Sequence, residues 1–182
     1  MTSLYYTTFS SSFGSFTIVW KDMDIKIQRI FLSDQTQKSE VKTIESFPNS
    51  QIGTSPEINS QGKKIQQFLN GEDVNFNLEL LDFSLCYDTQ KKVLLAEYNI
   101  PRGWISTYKR IANHIGIING ARVVGNSLAK NPFPIFIPCH RAIKSNGELG
   151  GYQGGLAMKK TLLELEGIKV VNNKVLTDKI YY

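Results

Sequence analysis

Ile137-Pro138-Cys139-His140-Arg141 ends an apolar run over 134–137 and precedes the glycine-rich stretch 147–155. The chain holds two cysteines and two histidines, so a thiol beside an imidazole is where a reactive thiolate is sought first. Adjacency alone is not enough, because neighbours on an extended strand point to opposite faces. Cys139 and His140 can cooperate only if the strand ends there or if something bridges them. Pro138 and the turn-rich Lys144-Ser145-Asn146-Gly147 indicate that the strand stops. A buried structural cysteine with a chance neighbour is the competing reading.

The chain before this stretch reads as a pair of short helices. Thr107 is placed to cap a helix over Tyr108–Ile115, with Ile111, Ala112 and Ile115 on its buried face. Gly116-Ile117-Ile118-Asn119 is a tight turn, and Gly120–Lys130 forms the next helix, stopped by Asn131-Pro132. Together they predict a helix-turn-helix. Between Tyr98 and Gly147 there is no Asp or Glu, while Arg102, Lys109, Arg110, Arg122, Lys130, Arg141 and Lys144 all fall inside. Such a stretch is the electrostatic footprint of a polyanion-binding face, or a basic surface kept for solubility. Gly120 and Gly125 each cost about 0.8–1 kcal/mol relative to Ala in a helix interior. With Ala121 they leave one helix face nearly bare, which suits close packing or entry into a minor groove only about 6 Å wide.

The N-terminal third alternates like β structure. Strands are predicted over Leu4–Phe9, Ser15–Trp20 and Ile25–Leu32, with a turn at Ser12-Phe13-Gly14, giving an antiparallel meander. The polar stretch 33–61 is an irregular connection or a broken helix. A short helix over Lys63–Leu69, a strand over Val74–Leu81 and a helix over Thr89–Glu97 follow, the last stopped by Ile100-Pro101-Arg102-Gly103. The expected fold class is mixed α/β (α+β). A small antiparallel-sheet domain, 1–82, precedes a mainly helical domain, 83–182, that carries the helix-turn-helix and an active-site loop.

Length and composition narrow the classes. The 182 residues, 41% of them hydrophobic, suffice for a real core, and the net charge is +5. No apolar run approaches the roughly 20 residues that span a bilayer, and the N-terminus lacks a basic segment followed by a hydrophobic core. The expected location is the cytoplasm, or the nucleus in a eukaryote. Two distant cysteines make no disulfide framework, and the Cys and His spacings fit no structural zinc site. No metal and no cofactor are expected.

The C-terminal half resembles the O6-alkylguanine-DNA alkyltransferases. The residues that carry the resemblance are Ile100-Pro101-Arg102-Gly103, Thr107-Tyr108, Ile111-Ala112, Ala121-Arg122-Val123-Val124-Gly125, Asn131-Pro132, Ile137-Pro138-Cys139-His140-Arg141, Gly151-Tyr152-Gln153-Gly154-Gly155, Leu162-Leu163 and Glu166-Gly167. They follow family order and spacing over about 70 residues of this chain. The N-terminal half is similar only through the Phe13-Gly14-Ser15 hairpin.

The resemblance implies a self-sacrificing DNA repair reaction on double-stranded DNA carrying O6-alkylguanine, with O4-alkylthymine as a second substrate. Cys139 is then the nucleophile, His140 takes its proton through a water, and Glu166 orients the imidazole. Asn131 braces the turn that carries Cys139, and Tyr152 donates to the guanine as negative charge develops on it. Ala142, Gln153 and Gly154 recognise the base edge. Arg122 fills the space left by the extruded nucleotide, Tyr108 crowds the adjacent phosphate, and Gly120, Ala121 and Gly125 keep the groove-facing helix slim. A monomer on DNA is expected.

Two of these residues also have bland readings from the residues alone. Glu166, in the last turn of a helix closed by Gly167, sits at the negative end of the dipole, a cost of about 0.3–1 kcal/mol that an exposed glutamate also tolerates. Tyr152 reads equally as a packed tyrosine. Lys109, Ile118 and Gly120 depart from frequent family residues, and Cys86 reads as a packed interior thiol. Three rival functions remain at this level: a non-enzymatic relative that flags alkylated DNA, a helix-turn-helix regulator, and a Cys-His-Glu hydrolase with turnover.

Overall fold

The computed structural model describes residues 3–182, so the first two residues of the expected 1–82 domain lie outside it. The chain divides into two compact units. One runs to Leu85 and takes in Pro132–Phe136, and the other comprises Cys86–Asn131 with Ile137–Tyr182. The architecture is mixed α and β: a small sheet unit, then a mainly helical one.

In the first unit, β1 (Leu4–Ser11), β2 (Gly14–Lys21) and β3 (Lys26–Leu32) form the expected antiparallel meander. Gly14 supplies the left-handed φ of +93° that closes the β1–β2 hairpin. The polar stretch after β3 holds α1 (Ser39–Ser46) and a short β4 (Gln51–Ile52), and β4 adds to β1 in parallel. The sheet order is therefore β3-β2-β1-β4, with one parallel edge that the meander reading omits. α2 (Pro56–Leu69) begins well before the predicted Lys63. Ser55 caps it by accepting from the Ile58 N–H at 3.1 Å, and Pro56 occupies the first turn, where its missing N–H has no cost.

The strand predicted over 74–81 is not one. It makes a single parallel bridge, Leu81 to Ile27, after a 3-10 turn at Leu78–Leu80. Asn77 favours the turn by accepting from the Glu79 N–H at 2.9 Å. Phe76 meanwhile packs into the unit's core, 6.0 Å from Phe68 and 4.4 Å from Phe136 between ring centroids. Burial of aromatic surface thus overrides β propensity here.

The second unit assembles α3 (Asp88–Tyr98), β5 (Ser106–Thr107), α4 (Tyr108–His114), α5 (Ala121–Ala129), β6 (Ala142–Ile143), α6 (Gly155–Leu165) and the hairpin β7 (Lys169–Val171) with β8 (Lys174–Leu176). Thr107 caps α4 as predicted, accepting from the Arg110 N–H at 3.2 Å. Ile105, Ile143, Leu149, Leu163, Ile168, Val170 and Val175 form one apolar cluster beneath the loop that follows β6. The C-terminal residues run beside β5: the Ile105 N–H donates to Lys179, and the Tyr181 N–H to Ile105. Among the described residues no helix is long and apolar enough to cross a membrane. Cys86 is half-buried rather than interior.

Candidate active site

Cys139, His140 and Arg141 form a 3-10 turn, not the end of a strand. The Cys139 N–H donates to Ile137 at 2.8 Å and the Arg141 N–H to Pro138 at 2.9 Å. In a helical turn successive side chains diverge less than on a strand, which eases the adjacency problem. Directly after the turn, β6 pairs in parallel with β5, Ser106 against Ala142 and Thr107 against Ile143. Since β5 leads into α4, that pairing sets Tyr108 beside the cysteine turn. Asn131 closes the turn from α5, its side-chain amide donating to the Ile137 carbonyl at 3.2 Å.

His140 and Glu166 are joined by Nε2 and Oε1 at 2.8 Å, with both side chains buried. Arg141 clasps the same carboxylate in a fork: Nε lies 2.9 Å from Oε2, and a terminal nitrogen 2.8 Å from Oε1. Its other terminal nitrogen donates to the Ile100 carbonyl at 2.6 Å. Glu166 follows α6, and the Gly103 N–H donates to its Oε2 at 3.3 Å. The segment Ile100-Pro101-Arg102-Gly103 therefore holds both members of the pair, Arg141 by the Ile100 carbonyl and Glu166 by the Gly103 N–H, as well as stopping a helix. Arg141, counted in the sequence among the residues of a basic face, is instead buried on this carboxylate, as a buried arginine requires an acid beside it.

Burial raises the Glu166 carboxyl, but His140 and Arg141 outweigh it and hold the acid well below the ordinary carboxylate range. Burial lowers His140, more than its pairing with Glu166 raises it. The pair is thus a carboxylate and a neutral imidazole. Burial pushes the Cys139 thiol up to about 11, against a hydrogen bond from Asn131 that lowers it. Tyr152 is held far above the ordinary phenol range by burial and then by the charges of Cys139 and Glu166, so it keeps its proton.

These shifts have a sign for stability. Glu166 stabilises the fold above its unfolded value of 4.5, and that contribution is lost as pH falls. His140 adds a loss below 6.5, where the unfolded chain takes up a proton that the fold refuses. The thermal midpoint is therefore expected to drop steeply from about pH 6.5 downward, and far less steeply in a Glu166→Leu, His140→Leu double variant.

Cys139 opens onto a cavity of about 360 Å³, lined also by Tyr108, Gly125, Leu128, Tyr152 and Gln153. That volume falls in the range of small-molecule sites, about 300–1,000 Å³. Ala142 and Gly154 do not line it. The Ala142 carbonyl accepts from the Lys159 ammonium at 2.6 Å, and a Cβ on Gly154 would stand 2.2 Å from the Met158 sulfur. The Gln153 amide donates to the Asn131 carbonyl at 2.6 Å, tying the glycine-rich loop to the residue that braces the cysteine turn.

A neighbouring depression, sharing Tyr108, Gly125 and Lys144 with the first, adds Ala121, Arg122, Asn126 and Ser145. Arg122 is exposed on α5. The two helix glycines differ in kind. Gly125 faces open space, whereas a Cβ on Gly120 would stand 2.4 Å from Ile117 Cγ2, so the turn itself requires Gly120. Gly120 also precedes α5 rather than lying in it.

A thiol with an acid-oriented imidazole, set beside an exposed basic helix-turn-helix, defines a cysteine-dependent protein that acts on a polyanion. A family model described as the DNA-binding domain of 6-O-methylguanine DNA methyltransferase matches residues 88–168. The methylated-DNA–protein-cysteine methyltransferase of Methanothermobacter thermautotrophicus is 46% identical over 106 residues, spanning 58% of this chain and 59% of that protein. The constitutive one of Bacillus subtilis is 33% identical over 165 residues, 90% of this chain and 96% of that protein. The crystal structure of Mycobacterium tuberculosis OGT in complex with DNA superposes with a TM-score of 0.71 at 30% identity, covering 89% of this chain and 92% of that one. The chain belongs to the methylated-DNA–protein-cysteine methyltransferase family, and its activity is DNA repair by transfer of an alkyl group to a cysteine.

Proposed function

We propose that Cys139 is the acceptor and that it acts once, on O6-alkylguanine extruded from duplex DNA, with O4-alkylthymine as a lesser substrate. The observation that carries this reading is the buried chain from Arg141 through Glu166 to His140, beside a thiol that opens onto a base-sized cavity.

The thiol is protonated at neutral pH, so a base must act first. His140 Nε2 is committed to Glu166, and the Cys139 proton passes through a water to Nδ1. The imidazolium that forms is stabilised by the carboxylate, as in other oriented-histidine sites. The thiolate attacks the alkyl carbon in line with the C–O6 bond, an S–C bond forms, and the bonding pair leaves with the guanine oxygen. Tyr152, which keeps its proton, donates a hydrogen bond to the departing base and lowers its charge. The product is a thioether, which offers neither water nor His140 a leaving group. One alkyl group per chain follows, and a hydrolase is disfavoured.

Extrusion is required because O6 lies inside the base stack, at a cost of a few kcal/mol. Tyr108, at the start of α4, faces the cavity and crowds the adjacent phosphate. Ala121 and Gly125 keep α5 slim, and Arg122 enters the vacated space. The phosphate contacts are independent of sequence, as damage in any context demands. The protein works on DNA as a monomer, in the compartment that holds the genome.

Arg122→Ala tests the extrusion step. It is expected to slow transfer from methylated duplex by about 10²-fold, since more than about 2 kcal/mol of flipped-state stabilisation is removed. Reaction with free O6-benzylguanine should change by less than about twofold. Equal slowing of both substrates would remove Arg122 from this role.

A further inference from the structure

Glu97 lies on the buried face of α3, fully shielded from solvent, and no well-formed hydrogen bond reaches either carboxylate oxygen. A buried carboxylate without a close hydrogen-bonded partner is strongly disfavoured, and an apolar side chain of similar size would pack there without that cost. The groups around Glu97 all belong to the transfer site or adjoin it. Lys159 on α6, also fully buried, donates to the carbonyls of Ala142 at 2.6 Å and Gly151 at 3.3 Å. Its ammonium lies 6.0 Å from the centre of the Tyr108 ring. Ala142 follows the cysteine turn and Gly151 precedes Tyr152, so this one cation ties together the two walls that flank the thiol.

We propose that Glu97 is a positioning residue for alkyl transfer that acts through Lys159: neutral, it leaves the ammonium to stabilise the Cys139 thiolate, and ionised, it cancels that charge. The claim rests on Cys139 being the nucleophile. It involves only a proton equilibrium with solvent, and no bond to carbon or sulfur changes.

The charges that face Glu97 come from every element packed on it. Burial raises its carboxyl to about 8, opposed first by Lys159, then by Arg141, with the Ala142 N–H helping least. Burial lowers Lys159 to about 8, opposed by Cys139 and Glu97. Glu97 in turn raises Cys139, Tyr108 on α4 and Tyr182 of the C-terminal segment, whose hydroxyl donates to the Ala96 carbonyl at 2.9 Å. The acid and the ammonium thus titrate together, as one coupled pair. Below about 8 the pair carries a net positive charge behind the sulfur, and above it that charge is lost.

The test uses the full chain with Cys86→Ser, so that Cys139 is the single thiol. Rates of Cys139 alkylation are measured against pH, by iodoacetamide and by single-turnover transfer from O6-methylguanine duplex. Glu97→Gln and Glu97→Leu are both permanently neutral. Each should match the parent well below pH 8 and exceed it by about tenfold as the parent's pair titrates, because only the parent then carries the Glu97 negative charge that raises the thiol, the equivalent of about one unit in thiol ionisation. Lys159→Met should slow both reactions by about tenfold at neutral pH. A variant-to-parent ratio that stays constant with pH for both Glu97 variants overturns the proposal. Failure of the parent to take methyl from DNA would instead defeat the nucleophile reading, and the iodoacetamide profile would still decide the role of Glu97.

Discussion

Cys139→Ser is expected to bind methylated duplex DNA as the parent does and to transfer nothing. Serine is close to cysteine in size, so the 3-10 turn, the Asn131 brace and the basic face of α5 are undisturbed. The oxygen, however, is a far weaker nucleophile toward saturated carbon, and its proton is held more tightly than that of a thiol. Intact mass after incubation with O6-methylguanine duplex gives the transfer, and a gel-shift or anisotropy titration gives the binding. A methylated serine variant, or methyl found on Cys86, would remove Cys139 from the centre of the mechanism.

Glu166→Ala carries the second large effect, because three groups depend on one carboxylate. Its loss leaves the Arg141 guanidinium buried beside the Ile100 carbonyl without its acid and removes the carboxylate that orients the His140 ring. Removing one member of a buried ion pair typically costs about 3–5 kcal/mol, a large share of a small domain's stability. Denaturant unfolding should register that loss. Glu166→Gln separates stability from chemistry. It keeps the shape of the contact but removes the charge that stabilises the imidazolium, so single-turnover transfer should fall by about 10²-fold or more. A Gln variant that transfers within about twofold of the parent would reduce Glu166 to a packing role.

Much of this site was legible in the sequence because its parts are local. The helix pair follows from Thr107, the glycine turn and Asn131-Pro132, all short-range signals. The apolar run ending in Pro138-Cys139 marks the turn that carries the thiol. What was not legible depends on long-range burial. The stretch 74–81 reads as a strand because its alternation is real, yet Phe76 is drawn into an aromatic cluster with Phe68 and Phe136, and Asn77 diverts the backbone. The segment Pro132–Phe136 belongs to the first unit although 46 residues of the second precede it in the chain, Cys86–Asn131. No local pattern signals such an excursion.

Two charged residues could have been found by periodicity alone. Glu97 falls four residues after Val93 and seven after Gln90, on the stripe that α3 buries. Lys159 falls three before Leu162 and four before Leu163 on α6. A charge on an apolar stripe is a sign of a partner or a task. Arg141 gave a similar signal through its place beside the thiol and imidazole, and its fork on Glu166 is the partner.

The central claim is that one buried sulfur accepts one alkyl group. The direct test is intact mass followed by peptide mapping, after excess O6-methylguanine duplex is added to the full chain. The account predicts a gain of one CH2 per chain, located on Cys139, that does not increase with time or substrate. Repeated release of methanol, or a chain whose mass is unchanged while the DNA stays bound, would contradict it.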